Sequence, residues 1–267
     1  VDIWYKDENQ SDPVTSADIE CQDYLTNIIN VRFPDHGVLG EENPVGTDLI
    51  APDFVWAIDP LDGTSNFIGG IPIFACSIGV LYRGMPIAGA IYIPWPGSGE
   101  GRVYYAWKGG GAFLNNILVN NLNDRTVRGN LATFPSSFRE NYAICKPVEG
   151  KVGDSRTLGS IAYELAMVSS GELVYAMIGK SSLWDVSAGV AIVCEAGGDV
   201  RIGKETTNQG PLPVCFGWER LTTFVDDWLA DKIKMAELRK WSAPLIIGRS
   251  DRVSELTRAI RKRTVIS

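Results

Sequence analysis

Apolar positions follow two periods along the chain, one close to helical and one alternating or continuous as in strands. Residues 18–33 place Tyr24, Leu25, Ile28 and Val31 at helical spacing, with Ser16 or Asp18 able to cap the start and Pro34 to stop it. Ahead of them, residues 1–17 are polar and turn-rich and read as a mobile loop. Val38 and Leu39 predict a short strand that delivers Gly40, Glu41 and Glu42, and residues 47–53 read as a loop. Residues 54–58 form an apolar run with the length and residue types of a buried strand. That run ends in Asp59 and Asp62, with Pro60 and Leu61 between them, and Gly63 and Thr64 then predict a turn into a helix. Residues 71–82 and 85–94 are strand-like and joined by Arg83 and Gly84, a hairpin signature. Residues 102–107 add a strand, and the Gly-rich turn after Lys108 reads as a tight β-turn, because no G-K-[ST] and no helical pattern follow it.

The second half alternates helix and strand. Gly159 and Ser160 open an apolar helix through Ala162, Leu165, Ala166 and Val168, closed by Gly171. Residues 173–178 are strand-like, Trp184 and Asp185 open a second helix over 186–196, and Gly197-Gly198 stops it. Residues 204–241 are less regular, with Trp218, Trp228 and Trp241 and an amphipathic segment over 221–233. Residues 244–248 and 253–263 give a last strand and helix. A β-rich middle followed by α/β alternation predicts stacked layers of helices and sheets.

Composition narrows the function classes. At 267 residues the chain suits one domain over 1–267, with an α+β half over about 1–150 and an α/β half over about 151–267. A net charge of −7 argues against a nucleic-acid binder, and a solvated helix face accounts for Arg258, Arg261, Lys262 and Arg263. Five cysteines without metal-type pairs fit a reducing cytoplasm better than a disulfide framework. A single histidine, His36, disfavours His-rich metal sites and a Ser-His-Asp triad. No apolar run approaches the roughly 18 residues of a membrane helix, no leader pattern is visible from Val1, and a cytoplasmic location is expected.

Four acidic positions stand at element boundaries: Asp18, Glu41, the Asp59/Asp62 pair and Asp185. Singly, each has an ordinary reading as a helix-start acid or a solvated side chain. The pair is different, because a buried strand rarely ends in two acids without a partner. Pro60 stiffens the corner that holds them. Two such carboxylates repel unless a cation lies between them or one takes up a proton. The amides following Gly63 offer an anion such as phosphate a place beside that cation.

Gly40-Glu41-Glu42, Asp59-Pro60-Leu61-Asp62-Gly63-Thr64-Ser65-Asn66-Phe67 and Trp184-Asp185-Val186-Ser187-Ala188-Gly189, with Glu195-Ala196-Gly197-Gly198 following, together resemble the inositol monophosphatase family. The resemblance runs from about Lys6 to Gly198 and resumes at the last strand and helix. It implies a five-layer αβαβα sugar-phosphatase fold and a Mg2+-dependent, lithium-sensitive phosphomonoesterase that uses two to three ions and is usually a homodimer. Carried over by position, it implies that Glu41, Asp59 and the Leu61 carbonyl hold one Mg2+. Asp59 then bridges to a second held by Asp62 and Asp185, and a third leans on Glu41. Thr64 and Asp18 would orient and deprotonate the attacking water. Gly63 and Thr64 would steady the phosphate, Gly159, Ser160 and Ile161 would approach the substrate hydroxyls, and Lys6 would stand on a loop over the third ion.

One position departs from the pattern. Members that prefer myo-inositol carry Glu seven residues before the metal-binding Asp, where this chain has Ile178. A site built to hydrogen-bond a hydroxyl discriminates strongly, so this change bears on substrate choice. The expected substrate is a small phosphorylated polyol or sugar. Inositol monophosphate leads by resemblance, and histidinol phosphate and fructose 1,6-bisphosphate are the alternatives. Thr64-Ser65-Asn66-Phe67 differs from the Thr-Lys-Glu-Phe of relatives acting on 3′-phosphoadenosine 5′-phosphate, which counts against a nucleotidase. The rival from another class is a catalytically silent phosphometabolite-binding module, against which the complete set of acids argues.

Overall fold

A computed structural model describes residues 1–10, 12–42, 49–96, 99–119, 122, 130–145, 152–205, 216–226, 228 and 232–263. Two short strands open the chain, β1 (Ile3–Tyr5) and β2 (Pro13–Thr15), paired antiparallel where the sequence suggested a loop. Then come α1 (Ser16–Arg32), β3 (Gly37–Gly40), β4 (Phe54–Asp62), α2 (Thr64–Ile68), β5 (Ala75–Tyr82), β6 (Met85–Ile93), β7 (Arg102–Trp107), β8 (Gly111–Leu114) and β9 (Ile117–Leu118). The second half runs β10 (Leu131–Thr133), α3 (Phe138–Asn141), β11 (Tyr142–Ile144), β12 (Asp154–Arg156), α4 (Ile161–Ser170), β13 (Tyr175–Ile178) and α5 (Leu183–Glu195). It closes with β14 (Asp199–Glu205), β15 (Phe216–Arg220), α6 (Met235–Lys240), β16 (Leu245–Gly248), α7 (Ser250–Ala259) and β17 (Ile260–Lys262).

Strands β3 to β9 form a seven-stranded sheet in sequence order, antiparallel except for the parallel β3–β4 pair. A six-stranded mixed sheet follows the order β12-β10-β13-β16-β14-β15. Helices α4 and α5 lie between the two sheets, α1 covers the outer face of the first and α7 that of the second. These are the expected αβαβα layers. The β5–β6 hairpin turns through Arg83 and Gly84, both at positive φ, which suits the twist of the flanking strands.

The two sheets share one core through α5, and its small residues show why. Gly79 on β5 and Gly89 on β6 are cross-strand partners. A Cβ on Gly79 would sit 2.4 Å from the Ser187 Cβ, and one on Gly89 would sit 2.5 Å from the Ala188 Cα. On the opposite side, a Cβ on Gly189 would meet Leu165 of α4. Ser187, Ala188 and Gly189 are therefore small because α5 is wedged between backbone and helix, which fixes the height of Asp185 over the sheet. Gly89→Ala should cost about 1–3 kcal/mol or more, since backbone rather than a movable side chain must yield. Thermal melts would show this as a drop of several degrees.

Four sequence expectations need correction. Thr15, not Ser16 or Asp18, occupies the α1 N-cap position, and the face of α1 is inverted: Asp18, Gln22 and Ile29 are buried, while Tyr24, Ile28 and Val31 are exposed. The described residues of the 221–233 segment hold no helix or strand, and the rest of that segment lies outside the described residues. The last helix ends at Ala259, so Arg261 and Lys262 belong to β17, which pairs with β11, rather than to a helix face.

Candidate active site

Asp59 and Asp62 lie inside β4 rather than beyond its end. The β4–β5 ladder pairs Asp59 with Ser77 and Asp62 with Ala75, with an irregularity between them. Pro60 has no N–H to give the ladder, and the Leu61 N–H turns instead to Asp59 Oδ1 at 3.0 Å. Gly63 follows at φ 91° and starts α2, in a conformation that a side chain would strain. A Cβ there would also press on Ser160 and on the Gly159 carbonyl, so this corner packs directly against the loop leading to α4. Asn66, part of the motif but given no role from sequence, ties the same two parts together. Its Nδ2 donates to the carbonyls of Ile73 (2.7 Å) and Leu158 (2.8 Å).

Asp18 and Asp185 are built alike. Each is the third residue of its helix and turns one oxygen back to the capping residue. Asp18 Oδ2 accepts from the Thr15 N–H at 2.9 Å and from its hydroxyl, and Asp185 Oδ2 accepts from the Ser182 N–H at 2.7 Å. A capping contact thus accounts for only one oxygen of each carboxylate. The other oxygen of Asp18 faces Thr64, whose hydroxyl lies 3.2 Å from Asp18 Oδ1 and 3.0 Å from the Leu61 carbonyl. Ser77, the cross-strand partner of Asp59, donates to the Trp184 carbonyl at 3.3 Å and so sets the first turn of α5 over the acidic strand.

Glu41 follows β3, and its N–H donates to the Ile58 carbonyl at 3.0 Å, one residue before Asp59. Lys6, just after β1, places its Nζ 2.7 Å from both Glu41 and Glu42. Partial burial works against the Lys6 charge, but the two glutamates outweigh it and raise its pKa. On the other side, Ser160 caps α4 and donates to Asp62 Oδ2 at 2.8 Å, and the Ala162 N–H reaches the same oxygen. Ser160 is therefore both a helix start and a partner of the acid corner.

Burial and mutual repulsion shape the electrostatics. Asp59, only 2% exposed, is driven well above the usual carboxylate range by burial first, then by Asp62, Glu41 and Asp185. Burial raises Asp62 to about 7 against the Ser160 and Ala162 hydrogen bonds, and raises Asp185 to about 8 with help from Asp62. Among the described residues, these side chains do not converge on one point at liganding distance, Glu41 being held by Lys6 and Asp62 by α4. Their donor chemistry is nevertheless all oxygen and strongly anionic.

Beside Asp62 opens a cavity of about 280 Å³ lined by Ser160, Ile161, Glu164, Met177, Ile178 and Lys180, among others. Glu164 is a residue that sequence reading missed. It is buried on α4, accepts from the Leu158 N–H at 3.2 Å, and burial lifts it to about 7. The available signal was a lone acid in the middle of an apolar helix. A larger neighbouring cavity of about 590 Å³ shares Gly179 and Lys180 but holds none of the acids.

Layered sheets thus bring four carboxylates near a Thr–Asp pair and a small pocket, an arrangement that fits a hydrolase of phosphate esters. The sequence matches the inositol monophosphatase family over residues 2–223, and the chain belongs to that family of phosphoric monoester hydrolases. It is 35% identical over 199 residues to a fructose-1,6-bisphosphatase/inositol-1-monophosphatase of Aquifex aeolicus, covering 72% of this chain and 73% of the relative. Among solved structures, the inositol monophosphatase of Anabaena (Nostoc) sp. PCC 7120 superimposes with a TM-score of 0.63 at 28% identity, over 92% of this chain and 86% of the other. An IMPase/NADP phosphatase complexed with Mg2+ and phosphate shares the fold, with a TM-score of 0.67 at 19% identity, over 96% and 85% of the two chains.

Proposed function

We propose that the chain hydrolyses the phosphomonoester of a small polyol or sugar at the Asp59–Asp62 corner, with Mg2+ as cofactor. The observation that carries this reading is the buried Asp59 beside half-buried Asp62 and Asp185, with Glu41 close enough to raise the pKa of all three. A cluster so costly to ionise in apolar surroundings needs cationic charge, and an all-oxygen donor set suits Mg2+. Glu41, Asp59, the Leu61 carbonyl, Asp62 and Asp185 would hold it. When bound, Mg2+ supplies charge stabilisation to the phosphate and lowers the pKa of water in reach of it.

The chain's own groups do the remaining work. With its proton toward Asp18, the Thr64 oxygen is free to accept a hydrogen bond from the attacking water and orient it. The Gly63 and Thr64 amides steady the phosphate oxygens, and Ser160 and Ile161 meet the alcohol portion. Lys6, over Glu41, completes the rim. Exposed Tyr24, Ile28 and Val31 on α1 offer a second copy an apolar face, in keeping with a homodimer. Among the described residues no helix is long and apolar enough to cross a membrane.

Pocket chemistry favours a second reading of the substrate. Ile178 offers no carboxylate to a ring hydroxyl, whereas exposed Lys180 stands on the rim without an ion pair among the described residues. That arrangement suits a second anionic group, as in fructose 1,6-bisphosphate. A panel of inositol 1-phosphate, histidinol phosphate, fructose 1,6-bisphosphate and phosphoadenosine phosphate, with Mg2+, EDTA or added lithium, tests both readings. Mg2+-dependent turnover that lithium suppresses is expected, while binding of an ester by calorimetry with no turnover would instead make the chain a binding module. Ile178→Glu should raise kcat/KM for inositol 1-phosphate by about tenfold or more, the scale of one hydroxyl contact in a polar site. An unchanged ratio between inositol 1-phosphate and the other esters would retire Ile178 as the specificity position.

A further inference from the structure

We infer that Arg239, from a segment beyond the matched family region, is a positioning residue that braces both arms of the carboxylate cluster and sets its affinity for Mg2+. The family match ends at residue 223, and α6 lies after it. Arg239 Nη1 donates to the Gly40 carbonyl at 2.7 Å and Nη2 to the Glu41 carbonyl at 2.6 Å. The Arg239 Cζ also lies 5.0 Å from the centroid of the Trp184 ring, one residue before Asp185. One planar cation therefore touches the backbone that presents Glu41 and the residue that precedes Asp185. With the Glu41 N–H on the Ile58 carbonyl and its own carbonyl on Arg239, the Glu41 peptide is pinned from both sides.

The brace is itself anchored. Ile50 bridges Lys234 antiparallel, Ala51 N–H donates to the Ile233 carbonyl at 2.8 Å and Met235 N–H to the Leu49 carbonyl at 2.9 Å. Met235 and Leu238 are buried against the main core. This docking leaves the guanidinium little freedom, and a fork of two N–H donors matches two successive carbonyls in a way an ammonium does not. Groups that orient metal ligands from behind typically alter metal affinity by about 10–100-fold when removed.

The inference rests on the phosphatase reading in taking Glu41 and Asp185 as Mg2+ ligands. Arg239→Met keeps an unbranched stem against Trp184 and removes both donors. It should raise the Mg2+ concentration for half-saturation about tenfold, read by titration calorimetry on substrate-free protein and by the Mg2+ dependence of turnover. KM for the ester at saturating Mg2+ should move by less than about twofold, and Arg239→Lys should recover part of the Mg2+ affinity. An Mg2+ isotherm unchanged in Arg239→Met, with only a lower melting temperature, would reduce Arg239 to packing and overturn the inference. Should Arg239→Met fail to fold, Arg239→Leu takes its place, and an unchanged Mg2+ isotherm there would overturn the inference equally. Because calorimetry needs no turnover, a wild-type protein that binds Mg2+ but hydrolyses nothing would count against the phosphatase reading alone.

Discussion

Asp59→Asn is expected to abolish turnover, by more than about a thousandfold in kcat, while leaving the fold in place. The amide is isosteric, and its oxygen can still accept the Leu61 N–H that shapes the irregular stretch of β4. What it removes is charge, at the residue on which Asp62, Glu41 and Asp185 all bear. The same variant should therefore melt at a higher temperature than wild type in EDTA near pH 8, because one source of buried repulsion is gone. Kinetics and melting curves check the two halves separately. Near-wild-type kcat would remove Asp59 from the centre of the chemistry, and a lower melting temperature in EDTA would refute the repulsion argument.

In the absence of Mg2+, stability should fall as pH rises from about 4 to 8, and Mg2+ should reverse much of that loss at the upper end. The sign follows from linkage. Asp62, Asp185 and Glu164, raised to about 7, 8 and 7, keep their protons in the folded chain at pH values where the unfolded chain has released them. The folded state then binds more protons, so stability decreases with pH across that window and levels off above it. A cation that binds only the folded, ionised cluster adds stability by mass action, most where the carboxylates are deprotonated. Melting temperature measured from pH 5 to 8.5 in EDTA and in excess Mg2+ should give diverging curves. Parallel curves, or EDTA melts that rise toward pH 8, would show that the cluster does not carry the repulsion assigned to it.

The acidic corner was legible because a buried strand running into Asp59 and Asp62 breaks an ordinary rule of burial, and such breaks mark function. The layers followed from apolar periodicity in the second half, where β13 and α5 fall within a few residues of expectation. Periodicity misled at α1. Its apolar stripe through Tyr24, Ile28 and Val31 faces outward, because the inner face must supply Asp18 to Thr64 and Gln22 to a space at Gly40 too tight for a side chain. The N-terminal hairpin escaped notice because three-residue strands carry too little pattern to separate from a turn-rich loop. Arg239 had no sequence signal at all. The acceptors of its hydrogen bonds at Gly40 and Glu41 are backbone carbonyls 199 and 198 residues away, and any residue type supplies a carbonyl.

The chain positions of the acids have a kinetic consequence. Asp18, Glu41, Asp59 and Asp62 lie close together in the sequence, but Asp185 reaches them only through α5, seated on the Gly79–Gly89 floor between the two sheets. Closing a loop of that length comes late on a folding route dominated by non-local pairing. On the ligand set proposed above, a divalent ion would find all its carboxylates only in the finished molecule. Such an ion would act as a lock on the native state that slows unfolding, and not as a template that speeds the chain toward it.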